Sequence, residues 1–99
     1  MLYAIISEDV ADSLKLRKAA RPEHLQRLIE LCDAGRLKLA GPHPAIDADY
    51  PRSAGFTGSL VVAEFASLDE ARSWADADPY LAKGVYQQVI VKPFNCVLP

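Results

Sequence analysis

Apolar and polar positions along the chain change period five times, and each change predicts a new element. Leu2-Tyr3-Ala4-Ile5-Ile6 is a short apolar run rich in aromatic and β-branched residues, and Ser7-Glu8-Asp9 closes it. That pattern predicts a strand ending in a loop. From Ser13 to Ala34 the period becomes helical, with Leu25, Leu28, Ile29 and Cys32 recurring at i, i+3, i+4 and i+7 before a stop at Gly35. Pro22 interrupts the first half of that stretch. It lacks an N–H and crowds the carbonyl four residues back, so either one helix ends near Ala20 and a second starts with Pro22 in its first turn, or a single helix kinks there.

Leu37 to Ala40 reads as a short strand cut off by Gly41-Pro42-His43-Pro44, and the stretch to Gly55 reads as loop. Phe56 to Phe65 is a second long strand, whose consecutive Leu60, Val61 and Val62 predict burial on both faces. Ser67-Leu68-Asp69-Glu70 has the form of a capping box, followed by the apolar stripe Leu68, Ala71, Trp74 and Ala75. This helix should end near Asp78, because Pro79 disfavours helical geometry in the residue before it. After a break at Gly84, Val85 to Val91 alternates loosely and ends at Lys92-Pro93 as the last strand.

The order β-α-β-β-α-β packs most economically as an antiparallel four-stranded sheet with both helices on one face, a ferredoxin-like α+β fold. Alternation puts Tyr3 and Ile5 on one side of the first strand, and Val61 and Ala63 on one side of the third. If those sides point away from the helices they form an apolar patch for a second copy to cover, so the expectation is a homodimer joined through them.

Length and composition narrow the possibilities. The 99 residues suit one domain spanning the whole chain, residues 1–99. A core of that size buries only about two-thirds of the unfolded surface, which also favours oligomerisation. A net charge of −2, with 11 Lys and Arg scattered among 13 acidic residues, argues against a nucleic-acid partner. The one local basic group, Lys15, Arg17, Lys18 and Arg21, is sized for a single small anion. Cys32 and Cys96 are far apart, match no metal spacing and look apolar, so both are expected reduced and buried. The chain opens on Met1-Leu2-Tyr3 with neither a basic leader nor a long apolar run, so no membrane span is expected and the cytoplasm is the default location. His24, His43, Asp47 and Asp49 have no established metal-ligand spacing, and no Gly-rich phosphate loop or dinucleotide fingerprint occurs, so no metal and no cofactor are expected.

The chemical hint is the spacing of Arg17, Arg21 and His24 at i, i+4 and i+7, one stripe on a helix that continues through Pro22. A histidine at the edge of a core can have its tautomer fixed by one neighbour while its other nitrogen meets a ligand. The arginines beside it can hold a carboxylate. Equally, both arginines can make ordinary ion pairs with Glu8, Asp9 or Asp12, and His24 can be a boundary residue. Asp78, before Pro79, can pair with His24 for proton transfer or can simply bond a nearby backbone amide as a turn initiator. Ser59 lacks a partner base or a nucleophile-elbow sequence, so it reads as a ligand hydroxyl rather than a nucleophile. His43, between two prolines, has nothing local to orient it.

These segments together resemble the YciI-like family over nearly the whole chain. The resemblance is carried by Arg17, Arg21 and His24-Leu25, Gly35-Arg36-Leu37, Ala40-Gly41-Pro42, Gly55-Phe56-Thr57-Gly58-Ser59, Asp78-Pro79-Tyr80, Gly84-Val85 and Lys92-Pro93-Phe94. It implies a ferredoxin-like fold that dimerises into an α/β barrel, as in muconolactone isomerase-like proteins. It also implies a site around His24 and Asp78 with Ser59 close by. One relative is a dehydrochlorinase acting on a chlorinated muconolactone-type compound. On that analogy His24 is the base, Asp78 its orienter or partner acid, and Arg17 or Arg21 the anchor for an anionic substrate. Two functions follow as expectations. One is a cofactor-independent lyase or isomerase moving a proton next to a carbonyl in a small anionic ring compound; the other is a non-catalytic dimeric module that binds a small ligand or a partner protein.

Overall fold

The computed structural model describes residues 1–99. In order, it contains β1 (Leu2–Asp9), α1 (Leu14–Asp33), β2 (Leu37–Pro44), a 3-10 turn at Arg52–Ala54, β3 (Phe56–Glu64), α2 (Leu68–Asp76), α3 (Pro79–Ala82) and β4 (Tyr86–Phe94). The four strands form one antiparallel sheet in the order β2-β3-β1-β4, the ferredoxin-like arrangement. No helix is long and apolar enough to cross a membrane.

Local signals account for most element boundaries. Ser67 Oγ accepts the Glu70 N–H at 3.1 Å, and Glu70 reaches back to the amide of Ala66 rather than to that of Ser67. Gly35 takes φ +72°, a left-handed geometry that costs glycine little, and so ends α1. Of the two readings of Pro22, the single helix holds: α1 runs unbroken from Leu14 to Asp33 with Pro22 inside it.

The strands are longer than the local sequence suggests. β2 continues through Gly41-Pro42-His43-Pro44, with Pro42 opposite Ser59 and Pro44 opposite Phe56. β4 likewise runs through Pro93. Both are edge strands, where a missing N–H can face solvent, and this is the position in which a sheet tolerates proline. β1 extends to Asp9, which carries Ser7 and Asp9 into the buried layer.

The faces differ from expectation in two places. Tyr3, Ile5, Val61 and Ala63 point towards the helices and form the main core with Leu31, Phe65, Ala71 and Ala75. They are not the outer face, because alternation separates two sides of a strand without saying on which side the helices land. The outer face instead carries Leu39, Ile6, Leu60, Val62, Ile90 and Phe94, with Leu39, Ile90 and Phe94 at 47%, 37% and 40% exposure. Helix α1 is also turned relative to its apolar stripe. Its buried residues are Arg17, Ala20, His24 and Leu31, while Leu25, Ile29 and Cys32 are exposed. Cys96 is exposed as well, so neither cysteine is the buried hydrophobe expected, and both are free thiols.

This rotation is the main structural fact about the chain. Ser7, Asp9, Ser13, Arg17, His24, Ser59 and Asp78 are all buried, and they come from β1, α1, β3 and the α2–α3 junction. Polar groups are costly to bury without partners. The layer between α1 and the sheet is therefore apolar at one end and a hydrogen-bonded polar network at the other.

Candidate active site

The network has two parts. In the first, Arg17 donates from Nε to Asp9 Oδ2 at 2.6 Å and from Nη2 to Asp9 Oδ1 at 2.9 Å, a two-pronged pair. Nη2 also donates to the Gly58 carbonyl and to Ser59 Oγ, each at 2.9 Å. Ser13 donates to the same Asp9 carboxylate. Gly58 permits this convergence: a Cβ there would lie 2.1 Å from the Ser7 carbonyl oxygen, so only glycine lets β1 and β3 meet so closely. Burial pulls the Arg17 guanidinium down, but the hydrogen bond and charge of Asp9 outweigh it, and the group ends above its usual range.

In the second part, His24 Nδ1 lies 2.8 Å from Asp78 Oδ1. The same oxygen accepts the Tyr80 N–H at 2.9 Å, so Asp78 is also the N-cap of α3. Asp78 is thus both a turn initiator and a hydrogen-bond partner of the histidine. The His24 ring stacks on Tyr80, with centroids 3.8 Å apart and planes 2° apart. Tyr80 in turn meets Tyr86 edge-on at 5.5 Å. The aromatic stack and the carboxylate leave the imidazole little freedom to rotate.

A cleft of about 410 Å³ opens between α1 and the sheet, and its lining includes Arg17, Lys18, Arg21, His24, Ser59 and Tyr80. Leu25, Leu28, Phe56, Val61 and the Ala40–Pro42 segment supply apolar wall. The volume suits a single-ring compound. Arg17, His24 and Ser59 are buried at its base, Arg21 is exposed at its rim, and Asp78 stands behind His24. Asp9 neutralises Arg17, so the uncommitted positive charges at the cleft are those of Lys18 and Arg21. His43 lies on edge strand β2, outside the cleft lining. No three His, Cys, Asp or Glu side chains converge to hold a metal ion.

Sequence reasoning missed Tyr80 and Tyr86 as parts of the site and named Asp9 only as one of three ion-pair partners. Tyr80 did have a signal, its place beside Asp78-Pro79. Tyr86 had none, because it reaches the inner face through a β-bulge that shifts the pairing of β1 and β4 between Glu8 and Asp9. Burial pushes the Tyr86 hydroxyl up to about 12, against a smaller pull the other way from Ser59. Burial also raises Tyr80, opposed by Arg17 and Arg21. Both phenols therefore stay neutral through the physiological range.

The raised Tyr86 value has a consequence for stability. Between pH 10 and about 12 the unfolded chain releases a proton that the folded chain keeps, so stability falls as pH rises through that window. Tyr86→Phe should abolish about 2–3 kcal/mol of that alkaline loss. Urea denaturation of both proteins at about pH 9 and about pH 11.5 checks it. Equal losses in the two proteins would mean that Tyr86 is not shielded from water.

Comparisons with known proteins agree with this fold. The chain is 60% identical over 97 residues to Protein YciI of Escherichia coli O6:H1, covering 98% of this chain and 99% of that one. It is 50% identical over 97 residues, with the same coverage, to an uncharacterised protein of Haemophilus influenzae. Among solved structures it resembles 5-chloro-2-hydroxyhydroquinone dehydrochlorinase (TftG) from Burkholderia phenoliruptrix AC1100 in complex with 2,5-dihydroxybenzoquinone. The TM-score is 0.84 at 27% identity, covering 96% of this chain and 94% of that one. The YCII-related domain model matches residues 1–95, and with full-length relatives at this level of identity the chain belongs to that family.

Proposed function

We propose that this protein is a cofactor-independent lyase or isomerase that moves a proton on a small, anionic, hydroxylated ring compound, with His24 as base and Asp78 as its partner. The observation that carries the reading is the 2.8 Å contact between His24 Nδ1 and Asp78 Oδ1, with the imidazole on the wall of the cleft. A carboxylate accepts hydrogen bonds, so Nδ1 carries the ring proton and Nε2 presents a free lone pair to the cleft. His24 Nε2 takes a proton from a ring carbon next to a carbonyl or from a ring hydroxyl, and the electron pair moves onto oxygen. In an elimination from a hydroxylated ring, the imidazolium first hands the proton to the ring carbon that bears the leaving group, and loss of a second hydroxyl proton to His24 then drives an electron pair through the ring to expel that group as its anion; in an isomerisation, the imidazolium hands the proton back at a different carbon.

The remaining residues fit this chemistry. Ser59 Oγ accepts from Arg17 and lies beside the Tyr86 hydroxyl, and its proton can turn from that hydroxyl to a developing oxyanion. Lys18 and Arg21 supply the field that draws an anionic ring into the cleft, and Arg17 holds Ser59 in place. The likeness to the dehydrochlorinase supports a hydroxylated, chlorinated benzene ring as the first substrate to try, rather than the lactone ring that the family resemblance suggested.

The direct test incubates the protein with a chlorinated benzenetriol, following chloride release and quinone absorbance, and with unchlorinated analogues in deuterated water, following exchange at ring carbon. Ligands that bind but are recovered unchanged and unexchanged would identify a binding module instead.

The homodimer is also a proposal, now resting on the outer face of the sheet. Ile6, Leu60 and Ile90 stand in one row across β4, β1 and β3, and exposed Leu39 and Phe94 extend the patch. A second copy covering it would leave each cleft on the outside of the assembly and complete within one chain. Sedimentation at micromolar concentration should give twice the chain mass, and Ile90→Lys, on the exposed edge strand, should give monomers that still bind ligand. A monomeric wild type would end the proposal.

A further inference from the structure

Arg27 lies three residues after His24 on α1, on the same side of the helix. Its Nη2 donates to the Trp74 carbonyl at 2.7 Å, and its guanidinium carbon sits 4.3 Å from the centroid of the Trp74 ring. Its Nη1 is the one buried side-chain nitrogen or oxygen in the chain without a partner. An orphaned donor of this kind is uncommon and calls for a cause. Trp74 belongs to the last turn of α2, and that turn is tied directly to the residue that meets His24: Asp78 N donates to the Ala75 carbonyl at 3.1 Å and Ala77 N to the Ser73 carbonyl at 3.2 Å.

We infer that Arg27 is a positioning residue for the His24–Asp78 pair, clamping the carboxyl end of α2 to the helix turn after the one that carries His24. Two successive inward positions of α1 thus grip one junction: His24 holds Asp78, and Arg27 holds the carbonyl and ring of Trp74 four residues earlier. The planar fork stacks on the indole and donates in its own plane at once, which a lysine cannot do. The clamp fixes the distance between α1 and the α2–α3 junction, and with it the geometry of a hydrogen bond that tolerates only a few tenths of an ångström. Burial lowers the Arg27 guanidinium on balance, and Asp78 is the first of the acidic groups whose charge opposes that shift. The orphaned Nη1 follows from this arrangement, because the guanidinium is oriented by the indole and the Trp74 carbonyl rather than by its own remaining donors.

The assignment rests on the His24–Asp78 reading of the site, and NMR separates the two. In 15N-labelled wild type, long-range 15N–1H correlations should show His24 as the Nδ1–H tautomer with a slowly exchanging ring proton. In Arg27→Gln that proton should exchange about tenfold faster or more, with loss of the single tautomer. Arg27→Lys keeps the charge without the fork and should give an intermediate acceleration. Arg36→Gln is the matched control for general destabilisation. Arg36 makes the same kind of contact on the other side of Trp74, donating to the Glu64 carbonyl at 3.1 Å with its guanidinium carbon 5.1 Å from the ring centroid of Phe65, which itself packs on Trp74 at 5.8 Å. It should leave the His24 spectrum unchanged. A ring proton in Arg27→Gln that exchanges within about twofold of wild type, or that moves equally in Arg36→Gln, overturns the positioning role and leaves the pair intact. Absence of the Nδ1–H tautomer in wild type overturns both.

Discussion

Turnover should fall by about 10²–10⁴-fold in His24→Gln while the fold persists, because the substitution removes the proposed base on the cleft wall and keeps a side chain of similar size. Asp78→Asn should also lower turnover, for a different reason. Asp78 Oδ1 makes both contacts, with His24 and with the Tyr80 amide, and an asparagine oxygen in that place can keep both. What it loses is the negative charge that stabilises the imidazolium formed when His24 takes a proton. The expected loss is about 10²-fold, and it should fall on kcat rather than on KM, because the charge matters only once the proton has moved. Chloride release or ring-carbon exchange, measured with circular dichroism as the check on folding, gives the answer. A His24→Gln protein within about threefold of wild type would move the base elsewhere.

The largest effect on stability should come from Asp9→Ala. Arg17 and Asp9 form a pair whose side chains are only 7% and 1% exposed. Removing the carboxylate leaves a guanidinium charge in the interior and also deprives Ser13 of its shorter hydrogen bond, leaving only the 3.4 Å contact with the Phe56 carbonyl. Breaking such a pair costs about 3–5 kcal/mol, a large share of the roughly 5–15 kcal/mol that holds a domain together. A fall in Tm of about 12 °C or more is expected for a chain of this size. Replacing both partners with apolar residues, Asp9→Leu with Arg17→Met, should recover much of the loss, since the penalty comes from the stranded charge rather than from the missing attraction. Urea titrations of the single and double variants decide it. A single variant costing under about 1 kcal/mol would mean that water reaches the pair.

These expectations divide cleanly by where the information for them lies. Element order, the Ser67–Glu70 cap, the stop at Gly35 and the Asp78 cap before Pro79 were legible in the chain, because each depends on backbone geometry within a few residues. The stripe of Arg17, Arg21 and His24 was legible for the same reason, as a consequence of helical period. Strand ends were less so: the prolines of β2 and β4 look like terminators until their strands are known to lie at the edges of the sheet.

What a side chain does with its position belongs to the tertiary structure. Alternation and helical period are symmetric descriptions; they group residues by face without naming the face that is covered. Hence Tyr3, Ile5, Val61 and Ala63 turned out to be core, and α1 turned Arg17 and His24 inward in preference to Leu25 and Ile29. Asp9 stood among three candidate partners for the arginines until the crossing of α1 over β1 left only its carboxylate within reach of both Arg17 donors. The meeting of His24 with Asp78 spans 54 residues, and no local preference carries over that distance. The sequence by itself determined which chemistry-bearing groups exist and which short segment presents each one. Only the packing of α1 and the α2–α3 junction against one side of the sheet decided which of them touch, because contact between distant residues is settled by the burial of the whole layer and not by any turn within it.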